Sequence, residues 1–164
     1  MAYEAKAIAN YLLDLAEGSR ATLNPMKIQK LVYFSHGWHL SIHDGHPLID
    51  EAVQAWTYGP VIPTLYHEFK RYGSGPIVSP ALNMEISGTN IRFMKPGVGD
   101  EETMDLLANI WDVYGNMSAI QLSNLTHQHG TPWQRVYSQA PNQKGLIIPD
   151  PLIKEYFDSV TTAT

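Results

Sequence analysis

Apolar positions recur at helical spacing along much of the chain, in stretches bounded by recognisable starts or stops. Ala5, Ile8, Ala9, Leu12, Leu15 and Ala16 predict a first helix over about residues 3 to 16, ended by Gly18-Ser19. A second helix starts sharply at Asn24-Pro25, because the Asn side chain accepts from an orphan amide while proline has no donor to lose at the first helical position. Its expected core face is Ile28, Leu31, Val32, Ser35, Trp38, His39 and Ile42, with Lys27, Lys30, Gly37 and Ser41 on a more polar side. Tyr33, Phe34 and Leu40 lie elsewhere on its circumference, so this reads as a central helix.

After it, residues 51 to 56 are short enough to form a strand. Gly59, Pro60 and Pro63 then make a structural corner before a helix through Leu65, Tyr66, Phe69 and Tyr72. Two short strands, about 84 to 87 and 90 to 94, flank Gly88-Thr89 and predict a hairpin. Met104, Leu107, Ala108 and Trp111 predict a helix with acidic residues at its positive end. Ser118 with Gln121, Thr131-Pro132 and Asp150-Pro151 read as three further helix starts, and residues 161 to 164 are expected to fray. The fold class is therefore mainly α: an irregular helical bundle with a small β-strand or hairpin addition.

The 164 residues suit one domain, 1–164, with a sizeable core. No stretch approaches the ~20 apolar residues of a membrane span, and no basic leader opens the chain, so the expected setting is cytoplasmic. A formal charge of -5 argues against a broad nucleic-acid surface, and the absence of cysteine excludes thiolate chemistry and sulfur-ligated metals.

The candidate chemistry is that of contact rather than reaction. Trp56, Tyr58, Tyr66 and Trp133 can form a recognition surface or pack the corner. Thr126 and His127 can meet a partner or lock a helix end, and Lys27 and Lys30 can touch nucleic acid or an acidic protein or remain solvated, with solvation or protein contact favoured by the overall acidity. His36, His39 and His43 have helical separations and His46 follows, which makes a nitrogen-ligated metal geometrically possible, but no H-E-x-x-H is present. No nucleophile elbow or phosphate loop occurs, so no catalytic, cofactor or metal residue is assigned.

Three blocks carry a family resemblance: Pro25-Met26-Lys27-Ile28-Gln29-Lys30-Leu31-Val32-Tyr33 with Gly37-Trp38-His39; Ala55-Trp56-Thr57-Tyr58-Gly59-Pro60-Val61-Ile62-Pro63 with Leu65-Tyr66; and Leu122-Ser123-Asn124-Leu125-Thr126-His127 with Pro132-Trp133. In their order and spacing the chain resembles the SocA-like, GepA-related phage-associated proteins, also called the Panacea antitoxin domain. It departs from their pattern at Ser35-His36 and at His127-Gln128-His129. The resemblance implies a noncatalytic antitoxin that binds a cognate protein toxin encoded nearby, and in adaptor-like members presents it to a protease. It implies no cofactor. The residues leave open two alternatives: a metal-assisted hydrolase using a histidine-rich pocket, and a nucleic-acid-binding regulatory module.

Overall fold

The second helix, α2 (Pro25–Ile42), runs through the middle of the molecule and positions everything else. Asn24 Oδ1 accepts from Lys27 N at 2.8 Å, with proline at the first turn, as the sequence pattern requires. Ile28, Leu31, Val32, Tyr33, Phe34 and Leu40 are all buried, although they point to different sides of the helix. A helix buried all round must satisfy its polar side chains within the protein.

The computed structural model describes residues 2–162. Around α2 pack α1 (Ala5–Gly18), α3 (Pro63–Phe69) continued by a 3-10 turn (Lys70–Tyr72), α4 (Glu101–Tyr114), α5 (Ala119–His127) and α7 (Asp150–Thr162), while α6 (Pro132–Tyr137) packs on α5 and α7. Strands β1 (Val53–Trp56), β2 (Gly59–Val61) and β5 (Ile147–Ile148) form an antiparallel sheet in the order β2-β1-β5. Strands β3 (Asn83–Ser87) and β4 (Asn90–Met94) make a separate antiparallel hairpin. The mainly helical architecture with a small β addition is thus the observed one.

Most helix starts follow the local code. Asp100 Oδ2 accepts from Thr103 N at 2.9 Å, and Ser118 with Gln121 closes a reciprocal capping box. Thr131 caps α6 with Pro132 at its first position. The start of α1 is different, since Glu4 makes no side-chain cap. Instead the carboxylate of Glu51, which lies beyond α2 in sequence, accepts from Ala5 N at 2.9 and 3.1 Å. A carboxylate at the positive end of a helix is favoured by the dipole as well as by the hydrogen bonds.

Several expectations are corrected. Helix α1 begins two residues late because Tyr3 pairs with Ile49 as an isolated bridge, fixed by Tyr3 N to Leu48 O and Asp50 N to Tyr3 O, both 2.8 Å. Ile42 is 62% exposed, since the last turn of α2 leaves the core. Gly37 and Lys30, assigned to the polar side, are buried. Gly59-Pro60 is not a simple bend but the start of β2, with Trp56 opposite Gly59 and a two-residue turn at Thr57-Tyr58. The last helix already includes Asp150, whose carboxylate leaves the backbone and accepts from buried His36 Nε2 at 2.9 Å. Helix α7 continues through residues 161 and 162, so the fraying expected there is not seen; residues 163 and 164 lie outside the described residues.

Gly37 explains how α7 docks. The Phe157 ring rests where a Cβ on Gly37 would stand, with Cε2 only 2.1 Å from that point. The same ring meets Trp38 at 5.1 Å and Tyr33 at 6.0 Å between centroids, both edge-on. Ser41 Oγ donates to Asp158 Oδ1 at 2.6 Å one turn further along. We predict that Gly37→Ala lowers unfolding stability by about 2–3 kcal/mol, as overpacking does. Phe157→Ala should cost about 3–5 kcal/mol. In urea titrations the double variant should lose less than the sum of the two, because the cavity accepts the methyl; strict additivity would show that the ring does not occupy this site.

Candidate functional site

The aromatic residues singled out in the sequence gather around one cleft of about 830 Å³. It is bounded by the N-terminal part of α2, the β1–β2 hairpin, α3 and the segment from Tyr137 to Gly145. Ala55, Val61 and Leu65 supply apolar, buried surface. Trp56 and Tyr66 form a wall, their rings edge-to-face with centroids 4.8 Å apart. Tyr58 stands at the hairpin tip, 75% exposed, and Tyr66 is 42% exposed. Trp56 Nε1 donates to Gln54 Oε1 at 2.9 Å, so its polar atom is satisfied while the ring face lines the cleft.

Buried polar groups on α2 hold this hairpin from beneath. Gln29 clamps the backbone of Ile62 in both directions: its Nε2 donates to Ile62 O at 3.1 Å, and its Oε1 accepts from Ile62 N at 2.9 Å. One turn position on, Lys30 Nζ donates to Tyr58 O at 3.2 Å and to Pro60 O at 3.3 Å. Its side chain is 2% exposed, and burial pushes its ammonium down to about 8 from the usual lysine value of 10.5. Gly59, between those carbonyls, has φ +120°, and a Cβ there would lie 2.8 Å from Lys30 Nζ and 3.1 Å from His127 Cε1. Glycine is thus needed both for the backbone angle and for the approach of the ammonium.

The third sequence block closes the other side. Trp133 Nε1 donates to Trp56 O at 2.6 Å, and its ring stacks on Tyr137 at 4.7 Å and 14°. His127 lies 4.1 Å from Trp133 between ring centroids, and its Nδ1–H donates to Ser123 O at 2.6 Å. Thr126 Oγ1 donates to the same carbonyl at 2.7 Å.

These positions separate the candidate residues into two groups. Trp56, Tyr58 and Tyr66 face the cleft or its rim; Lys30 also lines it but is buried, whereas Thr126 and Trp133 are buried supports outside its lining and His127 is a half-buried one. Lys27 is also turned inward: its Nζ donates to Gly115 O at 2.6 Å and lies 5.6 Å from the Trp111 ring centroid. The corner residues Gly59 and Pro60 form β2, and Pro63 starts α3. Sequence reasoning missed Gln29, although a glutamine whose helix neighbours three residues before and after, Met26 and Val32, are apolar is a signal that the backbone it serves is buried too.

The histidines do not converge as one set. His36 is buried against α7 through Asp150. His39, His43 and His46 share a second cleft of about 1050 Å³ with Asp100 and Glu102. There His39 Nδ1 donates to His46 O and His46 Nδ1 to His43 O, each at 2.7 Å, while His43 Nε2 meets Glu102 Oε1 at 3.2 Å. Among the described residues no three His, Cys, Asp or Glu side chains form a group able to hold a metal ion. No helix among them is long and apolar enough to cross a membrane.

Lys30 makes the support of the cleft titratable. Between pH 8 and about 10 the unfolded chain keeps a lysine proton that the folded chain has released, so stability gains with rising pH at this site. Relative to Lys30→Met, the wild-type protein should therefore gain on the order of 2 kcal/mol from pH 7 to pH 10. Paired urea titrations at several pH values measure this difference and cancel groups common to both proteins. A flat difference would mean that the buried ammonium is not penalised.

The three blocks that build the cleft also carry the kinship of the chain. Residues 28–134 match the family of SocA-like antitoxins with the Panacea domain. Over 158 residues the chain is 35% identical to Antitoxin SocA of Caulobacter vibrioides (strain NA1000 / CB15N), covering 94% of this chain and 82% of that protein. No solved structure gives a significant match. The matched region contains the hairpin, the Gln29 and Lys30 supports and the Trp133 contact, and on this ground the chain belongs to the SocA-like antitoxin family with the Panacea domain.

Proposed function

We propose that the protein neutralises a cognate protein toxin by direct, noncatalytic binding, with the toxin contacting the cleft at Trp56, Tyr58 and Tyr66. The observation that carries this reading is a preformed aromatic cleft, held by three separate elements, in a chain of antitoxin kinship. Aromatic anchors with satisfied polar atoms bring large contact area at small conformational cost. A rigid hairpin lowers the ordering cost further, and a few such anchors suffice for a micromolar to nanomolar complex, about 8–12 kcal/mol.

Binding at this place explains why the supports point inward. Lys30, His127 and Trp133 set the position of the hairpin tip, and the tip carries the exposed ring of Tyr58. The partner expected from this surface presents an apolar or aromatic segment rather than a highly charged one, since the cleft is mostly apolar and Lys30 is spent on carbonyls. Delivery of the bound toxin to a protease is a further step, separable by experiment from simple occlusion.

The test is co-expression with the toxin candidate encoded next to this gene. The wild-type chain should restore growth and copurify with the toxin. Tyr58→Ala and Tyr66→Ala alter exposed rings, so both variants should remain folded while weakening the complex about 10- to 100-fold and reducing rescue. A fall in toxin level on co-expression would add delivery to the mechanism, and an unchanged level would leave occlusion. Equal rescue and copurification by both variants would remove the cleft from the reading.

A further inference from the structure

The β3–β4 hairpin has an apolar face that the rest of the described chain does not cover. Its register sets Met84 opposite Phe93 and Ile86 opposite Ile91. Residues two apart on a strand share a face, so these four side chains form one patch, while Glu85 and Arg92, also opposite each other, lie on the other side. All four are between 58% and 66% exposed. Regular alternation of apolar and polar residues is the pattern of a strand with one buried face, yet here both faces meet solvent.

This arm is not loosely attached. Asn10, itself 1% exposed, holds both ends of its base: Nδ2 donates to Ala81 O and to Pro96 O, each at 2.9 Å, and Oδ1 accepts from Ala81 N at 2.7 Å. Lys6 Nζ donates to Leu82 O at 2.9 Å and Asn83 Oδ1 at 3.1 Å. A buried asparagine spent wholly on the two ends of a hairpin keeps the arm projecting in one direction.

We propose that this face is a self-association surface, on which the hairpin of a second copy packs face to face across a two-fold axis. The area and the neutrality of the patch suit a second copy. Four side chains exposed to this extent leave on the order of 400–500 Å² of apolar surface in water, as large as the biggest patch on ordinary monomers. Two such faces together bury about 800–1,000 Å², the size of a weak, transient interface. The patch contains no ionisable group, so two chains of formal charge -5 meet there without placing like charges in contact. A two-fold contact also requires a self-complementary patch, and the Met84–Phe93 pair of one copy can lie over the Ile86–Ile91 pair of the other. The resulting dimer carries two aromatic clefts, neither of which uses a hairpin residue.

Sedimentation velocity of the full chain from about 1 to about 100 μM tests this, in the range where an interface of this size associates. The expected result is a concentration-dependent shift from the 18.4 kDa chain to twice that mass. Ile86→Thr with Phe93→Thr keeps strand propensity while making the face polar, and should weaken the dimer at least about 10-fold with unchanged helical circular dichroism. Glu85→Gln with Arg92→Gln, on the opposite face, should leave the dimer intact. A wild-type chain that stays monomeric throughout, or a dimer that survives the threonine substitutions, would overturn the proposal. So would a monomer whose copurification with toxin is lost in the threonine variant, since the face would then belong to the toxin.

Discussion

Burial of α2 on all sides is the constraint from which the rest of the structure follows. Helix surfaces are usually divided into a wet and a dry stripe, but here Gln29, Lys30, Ser35 and His36 are buried along with the aliphatic and aromatic residues. Each such group must find an internal partner, because leaving a polar group unpaired in the interior costs several kcal/mol for a charge and about 1–3 kcal/mol for a neutral group. Gln29 and Lys30 find theirs on the distant backbone of Ile62, Tyr58 and Pro60, His36 Nε2 on the Asp150 carboxylate of α7, and Ser35 on Leu31 O one turn back in α2. In this way the polar residues of one helix dictate where β2, α3 and α7 must sit.

The hairpin at the cleft is the clearest product of that requirement. Three carbonyl oxygens at or next to its turn, those of Trp56, Tyr58 and Pro60, are held by Trp133 and Lys30 from two different helices. Gly59 leaves the space in which the ammonium and the His127 ring meet the turn. The sequence run from Trp56 to Pro60 therefore serves two opposed purposes. Its backbone is turned inward to satisfy buried donors, and its tyrosine is turned outward to meet a partner. A surface built this way is rigid before anything binds to it, which favours affinity by reducing the ordering cost.

Much of the helical framework was legible along the chain because its signals are local. Asn24-Pro25, Ser118 with Gln121, and Thr131-Pro132 mark helix starts through contacts made within one turn, and the structure keeps all three. The β3–β4 hairpin was legible for a similar reason, since Gly88 takes φ +61° between two alternating strands. The small sheet was not, because β5 is only two residues long and gains its meaning from pairing with Val53 and Gln54. Nor could periodicity foresee the cap on α1, whose acceptor comes from Glu51.

What the sequence determined by itself was the kinship, the helical class and the set of aromatic residues around the cleft, because short-range spacing and composition carry each of these. What tertiary structure decided was the role of the polar residues beside them. Lys30 and Tyr58 look equally available in one dimension, yet one is 2% exposed and the other 75%. The difference arises because the α2 face carrying Lys30 is covered by the hairpin, whose carbonyls accept the ammonium, while the tip of that same hairpin reaches past the core into water. Solvent access depends on which distant segment lies on top of a residue, and no local pattern contains that information.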